Sequence, residues 1–591
     1  MTLRRATRWT SGRRGRRRRV STGALVATAA VIAAILMVTL TAQAIVSGAS
    51  CQNHPVLVNV AVTNDLAPAV ERVAQLYNQQ RHAAGGSCAL IQVTQGQSAA
   101  LTGQIDGQQP VPGLPKIDAW IPDSSLWVDI ARRFPVGARA VQPTGVEVAR
   151  SPLMLVMPGS AAAKVPAFGR SVGWDFLLPP SVGGPPAALG LRVDLPEPNQ
   201  SAAGLASIIE MSRLLGSGAR ARTEFTKFVF NSEATAQFDD PGSLASFVSL
   251  AGPPWNGHPV TVTSEQAVIQ YDQANPGQPL AARYPSGSDP GLGSPELNYP
   301  YVLTTADPVR LRAAIQFEQL LRRGYATSVV RFNGFRSASG SSSPSPAAFG
   351  LDSQHLNLAS PAAAGEAQTT LAIWNNLGLG FRDLSLIDIS AAMGKPDGNG
   401  LQTYEQELGQ TAGLGLALFP DSTDMGLWEF SNHLSGSLPY KELVPVGPLS
   451  SELGLITRRQ QLQQINETIQ PNGGRTVALH NTILAAYRIM LGSYRPGYAN
   501  AILVLTSGVD NAPGDMPLGK LLRTLRALYD PLRRVEVVSV MFGSAGNFSA
   551  LQKIAAVTHG GAYEITDPAQ VGKVFFEAVA HRTCDPNCAA P

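Results

Sequence analysis

The chain has 591 residues, 44% of them hydrophobic and 15% charged, with 57 Gly and 44 Pro. That length exceeds one hydrophobic core and that composition excludes a disordered chain, so two or three loop-rich folded domains are expected. The formal charge of +4 rests on nine arginines in residues 1–20; without them the 42 acidic residues outnumber the remaining basic ones, which excludes the basic folded surface that a nucleic-acid partner requires.

Residues 1–20 therefore read as a basic tail. Residues 21–46, from Ser21 to Val46, carry no charged side chain and are long enough for one membrane-spanning helix. Arginines before the span and none directly after it predict a cytoplasmic N-terminus, with the bulk outside the plasma membrane. The rival reading is a cleaved signal peptide with Ala42-Gln43-Ala44 as its cleavage site. An oxidising exterior suits the four cysteines. Cys51, Cys88, Cys584 and Cys588 allow three pairings, of which Cys51–Cys88 with Cys584–Cys588 is the simplest. The tail 583–591, with its CDPNC, lacks the second ligand pair of a zinc site.

From residue 55 to 336, apolar β-branched runs alternate with helical periods. VLVNVAV leads through Thr63-Asn64-Asp65 into a helix, CALIQVTQ follows, and PDSS caps the helix after DAWI. SPLMLVMP, LGLRVDLP and HPVTVTS continue the alternation, which predicts an α/β fold with a mainly parallel sheet. The segments DAWIPDSSLW, DLPEPNQSAAGLASI, TSEQAVIQY and NYPYVL, in that order, resemble extracellular solute-binding proteins of the type 2 periplasmic-binding fold. The resemblance implies two lobes with a ligand cleft between them. It places Thr63, Asn64, Ser124, Ser125 and Ser201 at the cleft, with Glu265 nearby. Helix N-termini there favour anions, yet Ser and Asn are also the ordinary helix caps, and no arginine in these loops pairs an anion.

Residues 337–365 open with SASGSSSPSPAAFG, which reads as a linker. Beyond it, 366–582 reads as a second, doubly wound α/β domain. LSLIDIS and NAILVLTSG are its buried strands, and GLWEFS and KELVPV suit a hairpin. Glu405 and Glu407 read as a solvated helix face. Three loops, DISAAM, PNGGRTVALHNTILAAY and LTSGVDN, fall at the carboxyl ends of strands, where such sheets bind ligands. Together they resemble the von Willebrand factor A (VWA) domain, and GLWEF followed by ELVPVGPL is similar to the bacterial branch that joins a VWA domain to a solute-binding-like one.

The resemblance implies one divalent ion, usually magnesium, held by oxygens of an Asp-x-Ser-x-Ser loop, a Thr and a later Asp. Asp388, Ser390 and Thr476 match. Ala392 stands where the second Ser belongs, and Ser507 replaces the Asp of the Thr-Asp-Gly turn. Two expected oxygens and one negative charge are missing, so the metal site is degenerate; the other reading is a fold relic in which Ser390 caps the next helix. Gly169-Arg170-Ser171-Val172-Gly173 matches the G-x-S-x-G hydrolase pattern, but no buried strand precedes it. His480 and His559 read as packing or surface residues on helices, and no H-E-x-x-H or phosphate loop occurs. The expectation is a non-enzymatic cell-surface binding or adhesion protein that engages a protein or cell-envelope partner. The alternatives are a small-solute receptor and an envelope hydrolase using Ser171.

Overall fold

The computed structural model describes residues 55–583, apart from 81, 85–86, 111, 170, 236–237, 253–256, 288–290, 397–401, 472–475 and 544–545. The predicted membrane span 21–46 lies outside the described residues. Among the described residues no helix is long and apolar enough to cross a membrane. The chain divides into two compact units. One comprises residues up to Ser151 with Leu297–Ser345, and the other Pro152–Glu296 with Pro346 onward. One boundary between the units, Ser345/Pro346, falls within the Ser/Pro-rich segment, while those at Ser151/Pro152 and Glu296/Leu297 do not.

In the first unit, Val56–Val62 is a run of small and β-branched residues whose last five are buried, as a strand covered on both faces requires. It pairs in parallel with Ser87–Gln95 and with Ala119–Ile121. Pro300–Leu303 joins antiparallel beside Ala119–Ile121 and carries Gln142–Glu147 at the edge. This makes a mixed sheet, not the mainly parallel one expected.

The second unit holds two large sheets and the small antiparallel pair Glu452–Leu453 with Ile456–Thr457. The first runs in the order Leu280–Arg283, Ser151–Pro158, His258–Ser264, Leu191–Pro196, Ser232–Thr235. Strand Ser151–Pro158 is buried throughout, matching its unbroken apolar sequence. The other large sheet has the order Leu438–Pro448, Asp424–Ser435, Gly380–Asp388, Tyr498–Thr506, Val535–Phe542, Ala562–Ile565. Its strands are parallel except for the edge hairpin, whose turn places Gly436 at φ +63°, a conformation glycine adopts without strain. Alternate residues of Gly380–Asp388 serve two cores. Leu384 and Leu386 meet the helix Leu479–Gly492 side, while Ile387 meets the side of Tyr404–Leu418.

The two large sheets of this unit are joined side chain to side chain. Helix Glu366–Leu377 packs on helix Ala202–Leu215, and helix Val571–His581 packs on helix Ala219–Asn231. Arg213 forks onto both oxygens of Glu366 at 2.8 Å, reaches Glu210 at 2.8 Å, and donates to the carbonyls of Ser360 and Pro361 at 2.7 and 3.0 Å. Trp374 donates to Glu197, and Asn199 to Asn375. Phe230 adds its ring to Phe381, Phe575 and Phe576. The predicted linker is not featureless: it contains short 3-10 turns at Pro346–Phe349 and Ser353–His355, and Leu351 is buried in a core.

Three expectations need correction. First, the expected pairings Cys51–Cys88 and Cys584–Cys588 are not seen among the described residues, where the one cysteine, Cys88, is half-buried and disulfide-bonded. Cys51, Cys584 and Cys588 lie outside the described residues. Second, Glu405 and Glu407 are buried. Thr403 caps their helix in a reciprocal capping box with Gln406, and the Glu405 N–H bonds the carbonyl of Met393, which tucks the first turn under the 391–395 turn. Third, His559 is not within a helix but ends one in the left-handed conformation (φ +58°), stacked on Tyr529.

Candidate functional site

Parallel register brings the carboxyl ends of three strands together. Asp388 lies opposite Phe430, Ile387 opposite Leu505, and Thr506 opposite Met541. The loops after Asp388 and Thr506 therefore meet at one edge, with the segment before helix Leu479–Gly492 beside them.

Asp388 is 1% exposed and saturated by the protein. Its Oδ1 accepts from the Ser390 N–H at 3.0 Å. Its Oδ2 accepts from the Thr506 hydroxyl at 2.9 Å, the Ser507 N–H at 3.1 Å and the Ser507 hydroxyl at 3.0 Å. Ser507, which replaces the family's aspartate, thus turns a would-be ligand into a donor. Ser390 does not cap a helix; a turn follows it, and its buried hydroxyl has no protein hydrogen-bond partner. Thr476 is half-buried, and its hydroxyl accepts from Asn432 at 2.8 Å. The structure brings Asp388, Ser390 and Ser507 together and ties Thr476 to Asn432. These residues do not fit magnesium well: one carboxylate is absent, and four donors occupy the other.

A second cluster adjoins this edge. Ligand atoms of His480, Asp510 and Asp515 lie within 4.8 Å of one another, a set capable of coordinating a divalent cation. Its atoms are already engaged. Asp510 accepts from the Leu479 N–H at 3.2 Å, and Asp515 accepts from the His480 and Asn481 N–H groups at 2.9 Å. The two carboxylates therefore cap the helix that begins at Leu479. His480 Nδ1 lies 2.9 Å from Asp510 and 2.8 Å from the Met516 carbonyl, so Nδ1 carries the proton. Burial, together with the Asp510 carboxylate, pushes Asp515 up to about 6. Burial opposes the charge on His480, but Asp510 outweighs it and raises the imidazole. Sequence reasoning missed His480 and Asp515 as a group, because the cap comes from a loop some thirty residues downstream of the helix it serves.

The residues expected at the solute cleft fall in both units. In the first unit, Thr63 is buried and donates its N–H to Ile121, while Asn64 is exposed. Ser124 caps helix Ser125–Arg132, and the Ser125 N–H is taken by Asn298 at 2.9 Å. Asp65, not singled out in the sequence, receives the Tyr299 hydroxyl at 2.5 Å, and burial raises its carboxyl despite that bond. In the second unit, Ser201 caps helix Ala202–Leu215. Glu265 is fully buried and accepts from Tyr284. Ser171 is exposed and hydrogen-bonds Ser286 at 3.0 Å.

The bacterial extracellular solute-binding protein family model matches residues 58–336, and the von Willebrand factor type A domain model matches residues 384–577. The chain thus joins a solute-binding-like domain to a VWA domain, both of binding type and not catalytic. Two relatives from Mycobacterium tuberculosis, the uncharacterized proteins MT1884 of strain CDC 1551 and Rv1836c of strain H37Rv, are 25% identical over 600 residues, covering 94% of this chain and 82% of theirs. Among solved structures, the sulfate-binding protein SubI of M. tuberculosis aligns with TM-score 0.34 and 16% identity over 50% of this chain and 89% of its own. A von Willebrand factor type A protein from Catenulispora acidiphila aligns with TM-score 0.26 and 18% identity over 35% and 43%.

Proposed function

We propose that this is a non-enzymatic cell-surface protein, anchored in the plasma membrane through residues 21–46, whose VWA domain holds a protein or cell-envelope partner without a bound cation. One observation carries the reading: Asp388, the carboxylate the family uses for its metal, is closed by Ser390, Thr506 and Ser507. A site closed this way offers a partner no metal coordination position, so recognition falls to the rim of the same edge, where Ala391 and Lys395 are exposed.

The test is retention of the full chain on a cell-envelope preparation, with and without EDTA. Retention unchanged by EDTA and weakened by Lys395→Glu supports the proposal. Loss in EDTA that magnesium restores overturns it. The second reading, a small-solute receptor, rests on the match of residues 58–336. It predicts that one solute from an oxyanion and metal-chelate panel raises the melting temperature of the full chain.

A further inference from the structure

A parallel sheet normally buries both faces. In the VWA domain, Leu503 and Val538, on two of its inner strands, are only half-buried. They lie on the face covered by helices Tyr404–Leu418 and Val571–His581. Ala412 and Gly415 on the first helix, Ala499 and Ala501 on the sheet, and Ala578 on the second helix are small where larger side chains would close the layer. The result is a cavity of about 130 Å³, mostly apolar. It differs from the carboxyl edge, which lies at the ends of the strands.

Polar groups line this apolar space. The Thr411 hydroxyl is buried, its residue 2% exposed, and has no protein hydrogen-bond partner. Asp383 is buried and accepts from the Ser385 hydroxyl at 2.7 Å. Arg582 sits with its guanidinium 4.9 Å from the Phe381 ring centre; its Nε reaches Glu536, and its Nη1 is buried without a partner. An unmatched buried hydroxyl costs free energy that a ligand's hydrogen bond would recover. Burial also pushes the Asp383 carboxyl up to about 7, so it can accept or donate near neutrality.

We infer that this cavity is a binding site for a small neutral amphiphile: an apolar ring or chain of about six carbons carrying one hydroxyl. The size follows from the volume, since a dry cavity of about 150 Å³ accepts benzene. Neutrality follows from the lining: the Arg582 guanidinium already pairs with Glu536 and Arg382 already donates to Ser493, which leaves hydrogen bonds, not net charge, to be satisfied. The hydroxyl fits Thr411 and Asp383.

The probes are phenol, toluene and benzoate, titrated calorimetrically into the full chain. Phenol binding about tenfold tighter than toluene, the worth of one recovered hydrogen bond, with benzoate weaker than both, is the expected result. Gly415→Leu should fill the space: a Cβ at Gly415 meets nothing closer than Val571 at 3.6 Å, and the longer side chain points into the cavity. It should abolish phenol binding. Thr411→Val keeps the shape and should weaken phenol severalfold while leaving toluene unchanged; this variant decides the matter if Gly415→Leu fails to fold. No binding of phenol, equal binding of phenol and toluene, benzoate tighter than phenol, or unchanged phenol affinity in both variants each overturns the inference.

Discussion

Ser507→Asp would restore the aspartate that the VWA resemblance expects, and the structure gives the outcome a size. The Ser507 hydroxyl now donates to Asp388 Oδ2 at 3.0 Å. The substitution removes that charge-assisted bond, worth about 1.5–3 kcal/mol. It also sets a second carboxylate beside the first; at an effective dielectric of about 20, two charges about 4 Å apart repel by up to about 4 kcal/mol. Relaxation will discount the sum, so a loss of roughly 3–5 kcal/mol is expected in EDTA. Magnesium should reverse much of it: at about 100 times its Kd a cation that binds only the folded state contributes about 2.7 kcal/mol. The assay is thermal unfolding of the full chain and of Ser507→Asp, followed by circular dichroism in EDTA and in magnesium. The wild-type chain should melt at the same temperature in both. A magnesium-dependent rise in the wild type, or a Ser507→Asp chain as stable as wild type in EDTA, would refute the closed-network account of Asp388.

Asp383 has a folded pKa raised from 3.8 to about 7 by burial, so the folded state binds its proton more tightly than the unfolded chain. Its contribution to stability is fully present below about pH 4 and declines as pH rises toward 7; Asp383→Asn should flatten that decline, gaining a few kcal/mol above neutrality in denaturant titrations at pH 5 and 8. Arg213→Ala removes four hydrogen bonds that join helix Ala202–Leu215 to Glu366 and the segment before it, and a fifth to Glu210 within the helix. A loss of about 2–4 kcal/mol and a split calorimetric transition are expected, and a single unshifted transition would show the junction to be incidental. Thr403→Ala breaks the capping box of the Tyr404 helix and should cost about 1 kcal/mol by chemical denaturation.

Much of this fold was legible because its strands are apolar runs between capped helices. Ser151–Pro158 reads as a buried strand and is one, and Ser124 of PDSS acts as a cap through its own side chain. The carboxyl edge was legible in outline too, since Asp388 and Ser507 occupy loops that strand register must bring together. What the sequence hid was long-range. The burial of Glu405 depends on a carbonyl at Met393 supplied by a turn, not on helix periodicity. The cluster of His480, Asp510 and Asp515 needs the 510–516 loop folded over a helix that begins at Leu479. The cavity beside Asp383 arises from small residues on separate elements, each unremarkable alone.

The junction at Arg213 bears on how binding at two places would combine. A recognition surface on a floating tether meets its target at an effective concentration set by tether length. Here the segment Pro152–Glu296 and the VWA domain form one compact unit, so spacing and orientation between their surfaces are set by geometry. A target whose own sites match that spacing would be gripped with avidity, while one that does not match would engage only a single surface. The chain would therefore act as a caliper, selecting partners by the distance between their features as well as by their chemistry.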